Sequence, residues 1–263
     1  MPGGIGEILR SRVKEKLLRG EVVASMTVRL VGGIEIARIA KTASFDSLYV
    51  DMEHSRFSLE TTGRIYIAAL EAGVTPFMRV PGVAEVSRVL DGGALGVIAP
   101  HMRSADEARL YVAAAKFPPL GERSAAGPLP HLHYRTFPDA QADAALNDAT
   151  MVMVQFESEQ ALLKADEIAV DGVDVVMIGS NDLLADWGLQ GQYEHPRLRE
   201  AYARTIAVCR SRGWRTVVPS AACRRIRAHG RALRFDRNLS RLPARRLHRQ
   251  AKKVHDIASN AVS

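Results

Sequence analysis

Five places in the chain put charged or polar groups directly after a short apolar run. They are Asp51-Met52-Glu53-His54, Arg79, Pro100-His101, Gln155-Phe156-Glu157 and Gly179-Ser180-Asn181-Asp182. A carboxylate at the end of a buried strand is costly unless a cation or a substrate offsets its desolvation. Glu157 and Asp182 close consecutive runs. Neighbouring parallel strands lie ~4.8 Å apart, so two such carboxylates can share one hard cation such as Mg²⁺ or Mn²⁺. They can equally form a capping or salt-bridged pair, with Asp182 as the cap of the next short helix. Arg79 wants a carboxylate for its guanidinium fork, either on a substrate acid or on the protein, with Glu53 as the nearby choice. His54 is a candidate acid/base that titrates near neutrality. His101, His131 and His133 carry no motif and read as structural.

These groups need a scaffold that brings strand ends together. Short β-rich runs recur at Val22–Val28, Ser47–Met52, Thr75–Val80, Gly96–Pro100, Met151–Phe156, Val173–Ile178 and Thr216–Pro219. Several are apolar without strict alternation, as parallel strands covered on both faces are. Helical patterns fall between them, at Ile8–Arg19, Ser58–Ala72, Ser104–Lys116, Glu159–Ala169 and Pro196–Arg212. Ser104 and Glu107 form a capping-box pattern. Repeated strand–helix alternation over this length predicts an α/β fold, a (β/α)8 barrel, as one domain over residues 1–263. The Pro- and Gly-rich stretch 118–150 reads as an extended βα loop with short helices. Gly92-Gly93-Ala94-Leu95-Gly96 precedes its strand, so it is a tight turn and no phosphate fingerprint.

The 263 residues are 47% hydrophobic, enough for a large core. Collagen-like, coiled-coil, disordered and disulfide-stapled classes are excluded. No apolar run approaches the ~20 residues of a membrane helix. The two cysteines, Cys209 and Cys223, give neither a disulfide framework nor metal-site spacing, which fits a reducing cytoplasm. The net charge of +7 is not spread over the chain: residues 222–250 hold ten Arg and one acid, Asp236, leaving 26 basic against 28 acidic residues elsewhere.

Taken together, the strings resemble the HpcH/HpaI aldolase family. The matching pieces are the run Phe45 to His54, Arg79-Val80-Pro81, Leu90-Asp91-Gly92-Gly93-Ala94, Pro100 with Ala105-Asp106-Glu107-Ala108-Arg109, Phe117 to Arg123, Gln155-Phe156-Glu157 and Ile178 to Leu183, in family order. The resemblance implies a TIM barrel of the phosphoenolpyruvate/pyruvate-binding type. It implies a class II aldolase, a carbon–carbon lyase that cleaves a 4-hydroxy-2-oxo acid to pyruvate and an aldehyde through a metal-stabilised pyruvate enolate, as in aromatic-compound catabolism. Glu157 and Asp182 then look like the ligands of Mg²⁺ or Mn²⁺, with Co²⁺ a further option. Arg79 looks like the residue that holds pyruvate, His54 like the acid/base and Asp91 like the carboxylate that orients it. Gln155, Gly179, Ser180 and Asn181 would face the substrate, and Asp51 and Glu53 would support it from behind. The resemblance also implies a homohexamer, a trimer of dimers.

The pattern fails after the seventh run. Residues 221–250 are Arg-rich and contain no run of four apolar residues, so the eighth strand is in doubt. A basic island bounded by fitting sequence is what a shifted reading frame produces in GC-rich coding DNA, and that is the reading adopted for it. Two functional alternatives remain: an acyl-CoA lyase of malyl- or citramalyl-CoA type, using the same metal–enolate logic, and an inactive homologue that binds nucleic acid through 222–250. The second is disfavoured because Phe235 is the segment's only aromatic residue for base stacking.

Overall fold

A computed structural model describes residues 4–168 and 170–212 in full, and the backbone of 215–217 and 232–236. Six parallel strands form a curled sheet in chain order: β1 (Val23–Val28), β2 (Ser47–Asp51), β3 (Thr75–Arg79), β4 (Gly96–Ala99), β5 (Met151–Phe156) and β6 (Val175–Ile178). The backbone of β7 (Arg215–Val217) pairs in parallel with β6, and that of β8 (Ala232–Asp236) with β7 and β1. β8 therefore lies within the Arg-rich island where the sequence offers no apolar run. The other residues of 221–250, and with them the frame-shift reading, lie outside the described residues.

The helices are α1 (Ile5–Ile8), α2 (Arg12–Leu18), α3 (Glu35–Thr42), α4 (Leu59–Glu71), α5 (Val86–Asp91), α6 (Ala105–Ala115), α7 (Asp139–Ala149), α8 (Glu159–Leu163), α9 (Ala165–Ile168), α10 (Ser180–Asp186) and α11 (Pro196–Ser211). Serines start three of them. Ser58, Ser104 and Ser158 each accept a hydrogen bond from the backbone N–H three residues on, which satisfies one orphan donor of the first turn. In the Ser104–Glu107 box the return bond goes one residue further back, from the Arg103 N–H to Glu107 Oε2 at 2.7 Å.

The helix expected over Ile8–Arg19 is broken at Leu9, which is extended and buried with Phe117, Leu129 and Leu146, while Val13 and Leu17 pack under the sheet. Two separate apolar anchors thus override a continuous helix. The expected Glu159–Ala169 helix is likewise interrupted, at Lys164.

Side chains alternate across each strand. One set, including Val50, Met78, Val97, Val154 and Val176, joins the helix-covered layer. The other set lines the inside of the curl: Tyr49, Phe77, Ile98, Met153 and Met177, closed from below by Val13 and Leu17 of α2. The next inward positions towards the C-terminal strand ends are Asp51 on β2, Arg79 on β3 and Gln155 on β5. The interior is therefore apolar at its base and turns polar at one rim, and that rim holds the candidate site.

Candidate functional site at the C-terminal rim

Asp51 and Arg79 are register partners on adjacent strands. Their side chains meet through Nε–Oδ1 at 3.0 Å and Nη2–Oδ2 at 2.5 Å, both buried. Asp51 Oδ1 also accepts the backbone N–H groups of Glu53 and His54, each at 3.1 Å, and so shapes the turn that follows β2. The fork of Arg79 is thus taken by a protein carboxylate, Asp51, and the anticipated pair with Glu53 is made beside it. Glu53 Oε2 forms an ion pair with Arg79 Nη1 at 3.0 Å. Burial opposes the charge on Arg79, but Asp51, Tyr49 and Glu53 outweigh it and hold the guanidinium firmly protonated. Tyr49 lies beneath it, 5.7 Å from ring centre to guanidinium carbon.

Across the rim, Glu157 follows β5 and is buried. Its Oε2 accepts the backbone N–H of His101 at 2.8 Å, and the His101 ring Nδ1 is 3.0 Å away. Its Oε1 is buried without a hydrogen-bond partner. Gly179 allows this placement, since a Cβ there would fall 2.2 Å from Oε1. Burial is the main force pushing the Glu157 carboxyl up to about 7; the charges of Asp182 and Glu53 add to it, and His101 opposes it. Asp182 stands in the first turn of α10, whose N-cap is Gly179, and makes no side-chain cap. Its charge helps to raise the Glu157 carboxyl, and it is not used as the anticipated cap.

A buried carboxylate oxygen without a donor, next to a second carboxylate, fits a hard divalent cation. Among the described residues no group of three or more His, Cys, Asp or Glu side chains is arranged to hold a metal ion. A cation here would rest on Glu157 and Asp182, with water and substrate oxygens completing its shell, as Mg²⁺ sites commonly do.

The other anticipated residues divide. Gln155 is buried, with an unpartnered Oε1, at the interior position before Glu157. Ser180 is tied to α11 through Tyr202 at 2.7 Å, and Asn181 Oδ1 accepts the Tyr193 hydroxyl at 2.7 Å. His54 lies at the rim with half its side chain exposed and Nε2 3.8 Å from Glu53 Oε2. The anticipated Asp91–His54 pair is not made within the chain. Asp91 ends α5, which runs back to the opposite rim, and there it pairs with buried Arg123 at 2.7 Å. His54 follows a strand and so belongs to the other end.

His101, read from the sequence as structural, lies between two of these carboxylates. Its ring bridges Glu53 Oε1, at 2.6 Å from Nε2, and Glu157 Oε2. Its only sequence signal was its place after the β4 run. His131, by contrast, is structural: it is buried and its Nε2 meets the Ala94 carbonyl oxygen at 2.9 Å. Lys116 is a buried lysine whose pKa burial lowers, the type of amine that can form a Schiff base. It is nevertheless spent on the Asn147 and Thr150 carbonyls, which flank the α7–β5 turn at the opposite rim.

The model of the family described as HpcH/HpaI aldolase/citrate lyase matches residues 33–235. Among curated proteins, the chain is 40% identical over 203 residues to the 4-hydroxy-4-methyl-2-oxoglutarate aldolase tasA of Hapsidospora irregularis, covering 75% of each chain. It is 31% identical over 214 residues to the 4-hydroxy-2-oxo-heptane-1,7-dioate aldolase of Salmonella arizonae, covering 78% of each. The crystal structure of an HpcH/HpaI aldolase from Desulfitobacterium hafniense superposes with a TM-score of 0.79 at 30% identity, over 93% of this chain and 96% of that one.

Proposed function

The chain belongs to the HpcH/HpaI aldolase/citrate lyase family, and we propose that it is a divalent-metal-dependent aldolase that reversibly cleaves a 4-hydroxy-2-oxo acid to pyruvate and a carbonyl partner. The observation that carries this reading is the unpartnered, buried Oε1 of Glu157 beside Asp182, across the rim from the Asp51-held Arg79. A Mg²⁺ or Mn²⁺ ion bound by these two carboxylates supplies Lewis-acid polarisation of the 2-oxo group. We also propose that the six-stranded sheet, joined by the 215–217 and 232–236 backbone, is an eight-stranded (β/α) barrel.

Each residue then has a task. Asp51 takes one edge of the Arg79 guanidinium and Glu53 pairs with Nη1, which fixes its plane, so only the N–H groups these two carboxylates leave over are offered to the substrate. Held in place before the reaction, that charge stabilises the negative charge that develops on the pyruvate oxygen as the C3–C4 bond breaks. His54, whose backbone Asp51 anchors, takes the proton from the C4 hydroxyl and returns it in the synthetic direction. Gln155 lines the interior wall between these groups. The name of the Hapsidospora relative describes a substrate with a methylated, tertiary C4. Cleavage of such a compound gives a second 2-oxo acid in place of an aldehyde, and that class joins aldehydes as a candidate partner here.

The test is pyruvate release from 4-hydroxy-4-methyl-2-oxoglutarate and from 4-hydroxy-2-oxo-heptane-1,7-dioate, with Mg²⁺ or Mn²⁺ and again after EDTA. Release that requires the metal supports the reading. Release unaffected by EDTA removes the metal from it, and no release from either compound or from other 4-hydroxy-2-oxo acids removes the aldolase activity.

A further inference from the structure

We infer that His101 is a positioning residue for the cation: it pins one oxygen of Glu157 and presents the other, Oε1, alone to the metal. This rests on the metal reading above and extends it to a residue outside the proposed ligand pair.

The two Glu157 oxygens are treated unequally. Oε2 accepts the His101 backbone N–H at 2.8 Å, and ring Nδ1 of the same residue lies against it at 3.0 Å. Oε1 has no partner and packs against Gly179, where the chain leaves β6 on its way to Asp182. A carboxylate free to rotate can offer both oxygens to a cation or turn away from it. One whose Oε2 is pinned offers Oε1 in a single orientation, on the side of Asp182.

His101 is in turn fixed at its far end. Nε2 lies 2.6 Å from Glu53 Oε1, and the other Glu53 oxygen pairs with Arg79. A single relay, Asp51–Arg79–Glu53–His101–Glu157, thus joins the arginine side of the rim to the carboxylate side. Its backbone is not a relaxed one. His101 has φ +52°, in the left-handed region that is unfavourable for residues with a side chain. Such strain persists where the surroundings over-determine it, and it concentrates at functional sites. Core filling does not explain the residue, because half of its side chain is exposed.

The experiment is titration of Mn²⁺ into wild type, His101→Ala and His101→Asn, read by the EPR signal of free Mn²⁺, with a melting curve for each protein. Asn tolerates the left-handed backbone, so that variant keeps the loop while it shortens the side chain. Loss of a partner that holds a metal-ligating carboxylate typically weakens metal binding 10–100-fold. That range is expected for His101→Ala, with a smaller loss for His101→Asn, whose amide can still donate. Melting of the metal-free variants should shift far less than the affinity. If wild type binds Mn²⁺ and both variants bind it equally well, the positioning role is overturned and the metal reading stands. If wild type does not bind Mn²⁺, both fall together.

Discussion

Asp51 grips Arg79 with both carboxylate oxygens across neighbouring strands, at 3.0 and 2.5 Å, with each side chain almost fully buried. The pair settles how arginine is used at this rim. Its fork is taken by Asp51, and Nη1 is paired in turn with Glu53 at 3.0 Å.

Arg79→Ala should therefore fail twice. Loss of fixed positive charge at the developing enolate oxygen should lower kcat/KM by about three orders of magnitude. Leaving Asp51 buried and unpaired should cost roughly 3–5 kcal/mol of stability. Arg79→Lys keeps the charge but cannot make two parallel bonds, so its loss of activity should be smaller, about a hundredfold. Steady-state kinetics and urea unfolding check both. Wild-type activity in Arg79→Lys would show that orientation by Asp51 is irrelevant, and equal losses in the two variants would show that the charge without the oriented fork contributes nothing.

Metal should stabilise the folded protein, and the effect should depend on two carboxylates. A ligand at a hundred times its dissociation constant adds about 2.7 kcal/mol. Wild type should gain a clear rise in Tm with saturating Mn²⁺, and Glu157→Gln and Asp182→Asn should lose that rise together with metal-dependent turnover. Gly179→Ala should behave likewise, because its Cβ would occupy the space of Glu157 Oε1. A full Mn²⁺ shift in any of the three would place the cation elsewhere.

Acid should weaken the fold through His131. Burial pushes its pKa down to about 4 in the folded chain, against about 6.5 when unfolded. The unfolded state then binds more protons between these values, so the stability this neutral ring contributes is complete above pH 6.5 and is lost as pH falls towards 4. The loss is on the order of 3 kcal/mol. His131→Gln can keep a donor to the Ala94 carbonyl without a titrating group. Its unfolding free energy should fall less between pH 7 and pH 4 than that of wild type, and parallel pH profiles would rule the assignment out.

Much of this was legible in the sequence. Strand positions follow from apolar runs with β-branched residues, and β5 matches its expected bounds, Met151–Phe156. The polar strand ends, read as a group, identify the rim where Asp51, Arg79, Glu157 and Asp182 gather. Partnership was less legible. Nothing local distinguishes Asp51 from Glu53 as the acceptor of the Arg79 fork, because strand register decides it. Asp91 and His54 were separated by helix direction, which puts the end of α5 at the far rim. The contacts of His101 were not legible because they join it to two carboxylates 48 and 56 residues away. The break at Leu9 reflects a tertiary contact that helical periodicity does not contain.

The central claim is that this rim generates a pyruvate enolate with the help of a divalent cation. Exchange of the pyruvate methyl protons in D2O, followed by NMR with and without Mg²⁺ or Mn²⁺, tests it without knowledge of the carbonyl partner. The account predicts exchange that needs the metal, stops on addition of EDTA, and is lost in Glu157→Gln and Arg79→Ala. Wild-type protein that binds Mn²⁺ but leaves the methyl protons unexchanged would contradict it.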